Sequence, residues 1–353
     1  MWIYLLKRLL AMIPTLFGVL TLTFLITQLV PGGPVDHTLS QIDGASARAG
    51  AEGGADSGGF SYSGRRGVDS QQIEQLSAQY GFDKPPLERY ALMLKNFVRF
   101  DLGDSYFRNQ SVWSLIRSKL PVSIALGTWT LVLTYLVSVP LGVAKAVRAG
   151  SRFDLLTSLL VMAGYAVPGF VLGVMLIVLF GGGSFWDIFP LRGLVSDDWD
   201  QLGAGTKVLD YLWHIALPVT ASVIGSFALK TLLTKNTFLE EIRRNYVLTA
   251  RAKGLPERAV LWKHVFRNAL IPLVTGFPAT FIAAFFTGSL LIETLFSLDG
   301  IGLLSYESIN SRDFPVILGT LYLFTLIGLL IKLIGDVAYV LVDPRIQYDA
   351  YTR

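Results

Sequence analysis

The side chains of this sequence that could take part in polar chemistry are concentrated in one basic stretch, residues 245–272. Its sequence is NYVLTARAKGLPERAVLWKHVFRNALIP, and long uncharged segments lie on both sides of it. Its basic side chains, one histidine included, are Arg251, Lys253, Arg258, Lys263, His264 and Arg267. A stretch of this kind can contact lipid headgroups, bind nucleic acid or dock a protein partner.

The sequence lacks the motifs that would indicate catalysis by this chain. It contains no G-x-x-x-x-G-K-[ST] phosphate loop, no H-E-x-x-H zinc motif and no G-x-S-x-G nucleophile motif. It has no cysteine, which excludes disulfides, thiolate metal sites and cysteine nucleophiles, and its three histidines argue against a histidine metal cluster. These absences exclude ATP hydrolysis through a phosphate loop and argue against a metal site.

The elements that must position the basic stretch are membrane helices. Of the 353 residues, 52% are hydrophobic and only 16% are charged, whereas soluble domains carry about 25% charged residues. A helix needs about 20 apolar residues to cross a bilayer. Six segments meet or nearly meet that need: residues 9–30, 121–144, 155–186, 211–229, 268–292 and 314–331. We predict an all-α integral membrane protein with six transmembrane helices.

The first segment is too long for the core of a signal peptide, and no cleavage motif follows it, so we interpret it as an uncleaved span. Lysines and arginines in the short loops then predict the orientation. Residues 1–8, 145–154, 230–267 and 343–353 together carry 16 of them, whereas residues 187–210 and 293–313 carry 3. Both termini are therefore predicted to be cytoplasmic.

A large external segment, residues 31–120, separates the first two predicted spans. Residues 38–70 are rich in Gly, Ser and Ala, which predicts a flexible tether, with a contact arm for an external partner as the alternative. Residues 73–120 carry apolar side chains at helical spacing and predict a small subdomain of two or three helices. Residues 1–30 are then the cytoplasmic N-terminus and first span, and residues 121–353 form the core domain, with a cytoplasmic tail at 343–353.

Few ionisable side chains occur in or beside the predicted spans, namely His214, Lys230, Glu293, Lys332 and Asp336. A charge at the bilayer centre would indicate a functional site. Most of these residues lie near a predicted boundary, where a long side chain reaches the interface. We therefore expect structural roles for them. The sequence shows neither the chain of carboxylates typical of proton-coupled carriers nor an inverted pair of broken helices.

The basic stretch carries the local signals of two helices joined by a sharp turn. The first predicted helix covers residues 240–253, and its last turn carries Arg251 and Lys253, where cations complement the helix dipole. Gly254 stands where a left-handed glycine ends a helix. Pro256 fits the first position of the next helix, with Glu257 at its positive end. The segment at 236–267 is therefore predicted to form a compact cytoplasmic turn suited to docking a partner.

This turn resembles the cytoplasmic coupling loop of the permease subunits of ABC importers. The general pattern of that loop is Glu-Ala-Ala, three residues, Gly, and here only Ala250 and Gly254 match it. Phe266 and Arg267 stand where the pattern continues with Leu-Pro. The form TARAKGL, residues 249–255, is instead similar to the peptide and nickel branch of the family.

Further segments carry the same resemblance over nearly the whole chain except residues 38–70. IPTLFGVLTLTFLITQLVPGGPVD, residues 13–36, is similar to the first span of that branch and its exit, and YGFDKPPLERY and DLGDSYFRNQSVWSLIRSKLP to its external segment. TGSLLIETLFSLDGIGLLSYESINSRDFP, residues 287–315, and DPR at 343–345 resemble its last third. The long external segment and WKHVFRNA agree with the Yej-type peptide permeases of the bacterial inner membrane.

The resemblance implies the partners of the chain. A second, homologous permease subunit would pair with it, and cytoplasmic ATPase domains, fused on one chain in the Yej type, would bind ATP and magnesium. A periplasmic binding protein would deliver oligopeptides, peptide antibiotics included, and alternating access would release them into the cytoplasm. The resemblance thus implies that this chain is not an enzyme and binds no cofactor of its own. The six predicted spans beside the basic stretch argue against contact with nucleic acid.

The resemblance also implies roles for single residues. The expected ATPase-coupling residues are Ala250, Arg251, Ala252, Lys253, Gly254, Leu255 and Pro256. The residues suited to a gate or path are Pro168, Gly169, Phe170, Pro278 and Phe285, because proline breaks backbone hydrogen bonds and aromatic side chains can line a peptide path. Passive kinks, lipid-facing aromatic side chains and headgroup contacts of the basic residues are the alternatives.

Three other functions stay open from the sequence. The same machinery can carry nickel or another small solute. A secondary carrier or channel would work without ATPase partners, and a membrane scaffold would have no transport role.

Overall fold

The structure is a computed structural model that describes residues 2–29, 83–181, 185–282, 284–285 and 290–342. These residues are helical throughout most of their length and contain no β-strand, with one isolated antiparallel bridge between Asp104 and Ser111. The prediction of an all-α protein is confirmed for them. The predicted tether at 38–70 and the tail at 343–353 lie outside the described residues.

The long helices of the described chain give the architecture its frame. They are α1 (Trp2–Leu29), α2 (Pro86–Val98), α3 (Val112–Val147), α4 (Arg152–Ala166), α5 (Gly169–Phe180), α6 (Ala204–Ile242), α7 (Asn245–Ala252), α8 (Ile301–Ser311) and α9 (Phe314–Val342). Between α7 and α8 lie five short helices: Glu257–Ala259, Phe266–Ala269, Ile271–Thr275, Phe277–Ile282 and Leu290–Leu295. A π-helical turn at Val260–Val265 follows the first of them. A 3-10 turn at Trp199–Gln201 precedes α6.

Four helical stretches are long and apolar enough to cross a membrane, namely Leu5–Leu29 in α1, α3, α6 and Phe314–Val337 in α9. The pair α4 and α5 passes the same test together, although it is bent by 93°. By length and composition, the described residues thus contain four candidate spans, or five if the bent pair is counted as one span. The fifth predicted segment, 268–292, consists of short helices and includes residues outside the description, so the count of six stays a prediction.

The bend between α4 and α5 lies where the sequence predicts a break. Val167 is extended, with φ −90° and ψ 119°, and Pro168 follows with φ −56° and ψ 136°. A residue before proline disfavours the helical conformation, and proline itself has no N–H to donate. The backbone therefore leaves the helix at Val167 and re-enters it at Gly169.

The chain divides into two compact units. The first unit comprises residues 1–12, 119–304 and 326–353, and the second comprises 13–118 and 305–325. In the second unit, the Tyr90 ring of α2 lies 5.2 Å from that of Phe24 in α1, and the Tyr322 hydroxyl donates to the Phe97 carbonyl at 3.1 Å. Helix α2 therefore packs against the apolar helices α1 and α9.

In the first unit, α3 and α6 approach closely at a glycine. A Cβ on Gly142 would lie 2.5 Å from Cβ of Thr234 and 2.9 Å from the backbone oxygen of Thr231. One turn away, the Ser138 hydroxyl donates to the Phe227 carbonyl at 3.0 Å. Small residues and hydroxyl groups hold membrane helices together in this way, because close backbone approach increases van der Waals contact.

A buried ion cluster joins α3, α4 and α6 in the same unit. The Lys145 ammonium is fully buried and lies 3.2 Å from the Asp154 carboxylate, while Lys235 lies 2.7 Å from it. Lys145 also donates to the hydroxyls of Thr157 at 2.9 Å and Ser158 at 2.7 Å. One carboxylate at the start of α4 therefore offsets two ammonium groups from neighbouring helices.

Asp154→Asn is expected to lower the free energy of unfolding by about 3 kcal/mol or more, because it leaves two ammonium groups in the interior without their anion. Thermal unfolding of the purified chain in detergent measures the loss. Asp299→Asn is the matched control, since Asp299 pairs with Lys119 but its side chain is 64% exposed, and exposed pairs contribute about 1 kcal/mol or less. Equal losses of unfolding free energy in the two variants would show that the buried cluster stabilises the fold no more than the exposed pair does.

The sequence-based expectation for the surroundings of Glu293 is wrong. The sequence predicts that Glu293 reaches an interface from the end of a span, but this residue is fully buried, with an exposed fraction of 0%. Its carboxylate accepts from the Leu303 backbone N–H at 2.8 Å and from the Ser123 hydroxyl at 3.2 Å. These bonds satisfy it without an aqueous contact, and they tie the start of α8 to α3.

Candidate functional site

The basic stretch begins where α6 ends. Arg243 closes α6 with helical angles, and Arg244 takes an extended conformation, φ −72° and ψ 147°, before α7 starts at Asn245. This single extended residue redirects the chain. The helix that the sequence predicts over residues 240–253 is therefore divided between two helices, α6 and α7.

The end of α7 is a Schellman motif centred on Gly254. Gly254 has φ +77°, its N–H donates to the Arg251 carbonyl at 2.9 Å, and the Leu255 N–H donates to the Ala250 carbonyl at 3.3 Å. These are the two bonds that define the motif. A residue with a side chain would be strained at this φ by about 1 kcal/mol or more. The predicted left-handed glycine at the turn is confirmed.

The next helix starts one residue later than the sequence predicts. Pro256 caps it with an extended backbone, φ −62° and ψ 144°, and Glu257 is its first residue. The Arg251 Nε donates to Glu257 Oε2 at 3.1 Å across the turn. This bond raises the pKa of the Arg251 guanidinium and lowers the pKa of the Glu257 carboxyl. The charge pair closes the turn.

The turn rests on a small apolar base. Its buried members come from α3, α6, α7 and the helical segment that follows, namely Ala146, Phe238, Val247, Ala250, Val260, Val265 and Ala269. Beside them, burial and the hydrogen bond to Glu241 raise the pKa of the Tyr246 hydroxyl to about 12. Ala250 belongs to this apolar base: it is only 6% exposed and packs beneath the turn.

The outer residues of the turn are exposed. Eight consecutive residues, 251–258, are exposed. Leu248 is 56% exposed and Leu255 39% exposed, so apolar side chains stand among the basic ones. Exposed apolar groups that are grouped and rimmed by charge are typical of a protein interaction surface. Six of the seven predicted coupling residues lie on this surface, and Ala250 lies in its base.

A second feature of the first unit is a cavity of about 600 Å³. Helices α3, α5 and α6 and the short helices Phe277–Ile282 and Leu290–Leu295 line it. Its polar lining consists of hydroxyl groups, contributed by Thr130, Thr134, Ser222, Ser226 and Thr280. Its apolar lining includes Leu126 and Phe170. Hydroxyl groups among apolar side chains can donate hydrogen bonds to a polar solute or accept them from it. They rotate to suit the partner, so they do not select one particular solute.

The five predicted gate or path residues are placed differently from one another. Gly169 and Phe170 line the cavity, and Pro168 sets the bend before them. Pro278 is buried against α9, where a Cβ on Gly335 would collide with its ring. Phe285 stacks on Phe281 with ring centroids 4.2 Å apart. The structure therefore brings two of the five to the cavity and places Pro278 and Phe285 in helix packing.

Sequence-based reasoning missed the hydroxyl lining. Ser222 and Ser226 are four residues apart, as are Thr130 and Thr134, so each pair shares one helix face. That spacing is visible in the sequence. It is not informative alone, because serine and threonine in membrane helices often bond their own backbone, as Ser222 does to the Pro218 carbonyl at 2.9 Å.

Comparison with known proteins places the chain in a family. Residues 138–348 match the model of the family described as binding-protein-dependent transport system inner membrane component. The matched region covers the bend, much of the cavity lining and the Gly254 turn. The chain belongs to this family of transport-system membrane components.

Individual relatives match over nearly the full chain. The inner membrane ABC transporter permease protein YejB of Escherichia coli O157:H7 is 55% identical over 98% of this chain and 99% of its own length. The peptidoglycan transport system permease protein YejB of Agrobacterium fabrum is 53% identical over 98% of both chains. The dipeptide transport system permease protein DppB of Bacillus subtilis is 31% identical over 98% of this chain and 97% of its own. These relatives confirm the resemblance to ABC permeases, including the Yej type.

Proposed function

We propose that this chain is the permease subunit of an ATP-driven ABC importer that carries peptides from the periplasm into the cytoplasm. The relatives include permeases named for dipeptide and for peptidoglycan transport, and both cargoes contain peptide. The chain contributes no catalytic group. Its part is to move between inward-open and outward-open conformations while partner ATPase domains bind and hydrolyse ATP.

The exposed turn at Gly254 carries this proposal. It is the place in the described chain where a rigid motif, exposed leucines and basic side chains combine on a buried base. Ala252, Lys253, Leu255 and Pro256 form its contact surface, with Arg251 braced by Glu257. A rigid element of this kind can transmit force between the ATPase domains and the helices α3 and α6 that contact its base.

The proposed arrangement in the membrane follows the charge distribution. Six spans place both termini and the Gly254 turn on the cytoplasmic side of the bacterial inner membrane. The second permease subunit completes the translocation path, and a two-domain ATPase binds the turn. A periplasmic binding protein delivers peptide to the opposite face. Gly169 and Phe170 line the path at the bend, while Pro278 and Phe285 contribute to it as packing elements.

ATP hydrolysis by the reconstituted complex tests the function. The complex in liposomes is mixed with binding protein that is either empty or loaded with tri-alanine, and internalised peptide is counted with phosphate release. We expect loaded binding protein to stimulate hydrolysis and peptide to accumulate inside. Accumulation of peptide without ATP would instead show a secondary carrier. A complex in which neither activity responds to loaded binding protein would favour a scaffold.

The cargo is tested separately from the machinery. Nickel-loaded and peptide-loaded binding proteins are compared at equal concentration in the same liposomes. Stimulation by the nickel form alone would keep the ABC importer and replace the peptide with a metal ion.

A further inference from the structure

The hydroxyl face of α6 continues beyond the cavity to a lysine. Ser222 and Ser226 line the cavity, and Lys230 follows at the same four-residue spacing. Residues four apart lie on one helix face, about 6 Å further along the axis. Lys230 therefore lies one turn past the cavity on the cavity's own face, in the direction of α7.

The Lys230 ammonium lies over an aromatic ring and beside a glycine. It lies 5.5 Å from the ring centroid of Tyr135, the residue next to the cavity-lining Thr134. A Cβ on Gly276, four residues before Thr280, would lie 3.7 Å from its Nζ. Neighbours of cavity-lining residues thus flank Lys230 on α3 and on the Phe277–Ile282 side as well as on α6.

No carboxylate offsets this charge within the described part of the chain. None of the ion pairs found there includes Lys230. The contrast with Lys145 and Lys235 is direct, because both lie against Asp154. Lys230 is the first charged residue after the uncharged run 211–229 of α6, and the helix continues beyond it to Ile242.

A half-buried ammonium without an anion is costly even at the end of an apolar membrane segment, because part of its water is removed. Ionisable residues of membrane helices are therefore functional-site candidates. An exposed lysine would have served equally well to fix orientation. The position of Lys230 makes sense if a ligand brings the missing negative charge from the cavity. A linear peptide carries one such group at its C-terminus whatever its sequence.

We propose that Lys230 binds a carboxylate of the peptide in transit as the peptide leaves the cavity. This inference rests on the proposed peptide-import function. The ammonium donates to the carboxylate, and the Tyr135 ring keeps it in position when no peptide is present. Hydroxyl groups of the cavity would bond the peptide backbone at the same time, so that charge, and not side-chain identity, selects the cargo here.

Uptake of a peptide with and without its C-terminal charge tests the proposal. The intact complex, wild type or Lys230→Met, is reconstituted in liposomes with binding protein loaded to equal occupancy with tri-alanine or tri-alanine amide. Each rate is expressed relative to wild type with the same peptide, which removes the preference of the binding protein. We expect Lys230→Met to lower tri-alanine uptake about tenfold or more, the factor for one charge-assisted hydrogen bond. We expect its effect on the amide to be less than about threefold.

Two control variants separate charge from structure. Lys230→Arg keeps the charge and is expected to stay near wild type with both peptides. Lys207→Met makes the same substitution in the same helix at another half-buried lysine over an aromatic ring, Trp199 at 5.6 Å, and is expected to leave uptake unchanged. Alanyl-glutamyl-alanine amide shows whether a side-chain carboxylate can replace the C-terminal one.

The uptake experiment distinguishes failure of the Lys230 proposal from failure of the peptide-import function. Wild-type uptake of tri-alanine by Lys230→Met would overturn the proposal, as would equal losses with the acid and the amide, which point to a structural role or a lipid phosphate. If the wild-type complex itself neither imports tri-alanine nor responds to loaded binding protein, the peptide-import function fails instead.

Discussion

Gly254→Trp is expected to lower the ATP hydrolysis stimulated by loaded binding protein at least about tenfold, because a misfit at the centre of a packed interface costs about 2 kcal/mol or more. The fold itself should survive. No heavy atom lies within 4 Å of a Cβ placed on Gly254, and residues 251–258 are exposed, so a side chain can leave the turn without a clash at its first atom. The remaining cost is the left-handed φ of +77°, about 1 kcal/mol or more. Phosphate release from the reconstituted complex measures the effect.

Gly150 offers a matched control for this prediction. It has φ +80°, has no heavy atom within 4 Å of a Cβ, and lies between α3 and α4 outside the Gly254 turn. Gly150→Trp therefore adds the same bulk and a similar strain, and we expect near wild-type hydrolysis. Gly254→Ala adds the strain without the bulk and should retain most of the activity. Equal losses in Gly150→Trp and Gly254→Trp would contradict a specific coupling role.

Glu293→Ala is expected to lower the free energy of unfolding by about 2 kcal/mol or more, because the N–H of Leu303 loses its acceptor. The Ile301 N–H donates to the Ser123 hydroxyl at 2.9 Å, and that hydroxyl donates to Glu293. Two N–H groups in the first turn of α8 thus depend on this carboxylate, one directly and one through Ser123. Thermal unfolding in detergent measures the loss.

Gly300 supplies an internal control for Glu293. A Cβ on Gly300 would collide with the Glu293 carboxyl group, so Gly300→Ala is also expected to destabilise the fold. In the double variant the shortened side chain at position 293 makes room for the new methyl group. The combined loss should therefore be smaller than the sum of the two. Strictly additive losses would show that the two residues do not share the space described here.

Several features are predictable from the sequence because they depend on local chemistry. The apolar runs predict membrane helices, since length and hydropathy decide whether a helix suits a bilayer. Pro168 predicts the bend, because a proline constrains its own residue and the one before it. Gly254 predicts the left-handed end of α7 for a similar reason. The motifs around it are sufficient to indicate the family of permeases.

Other features depend on residues that are distant in sequence. Glu293 and Lys230 stand in similar positions at the ends of apolar runs, yet hydrogen bonds from α3 and α8 satisfy the first, and the second has no anion in the described chain. Pro278 and Phe170 are equal candidates for the path in the sequence. In the structure, Pro278 packs against Gly335, whereas Phe170 faces the cavity.

The sequence alone was enough for the helical class, the membrane environment, the bend at Pro168 and the turn at Gly254, because each follows from backbone preference or from the transfer of apolar side chains out of water. Which polar side chains are satisfied, and which face the cavity, became known only from the packing of the helices. Hydrogen bonds and ion pairs in a helical membrane protein form between helices, and the sequence of one helix does not specify what the next will place against it.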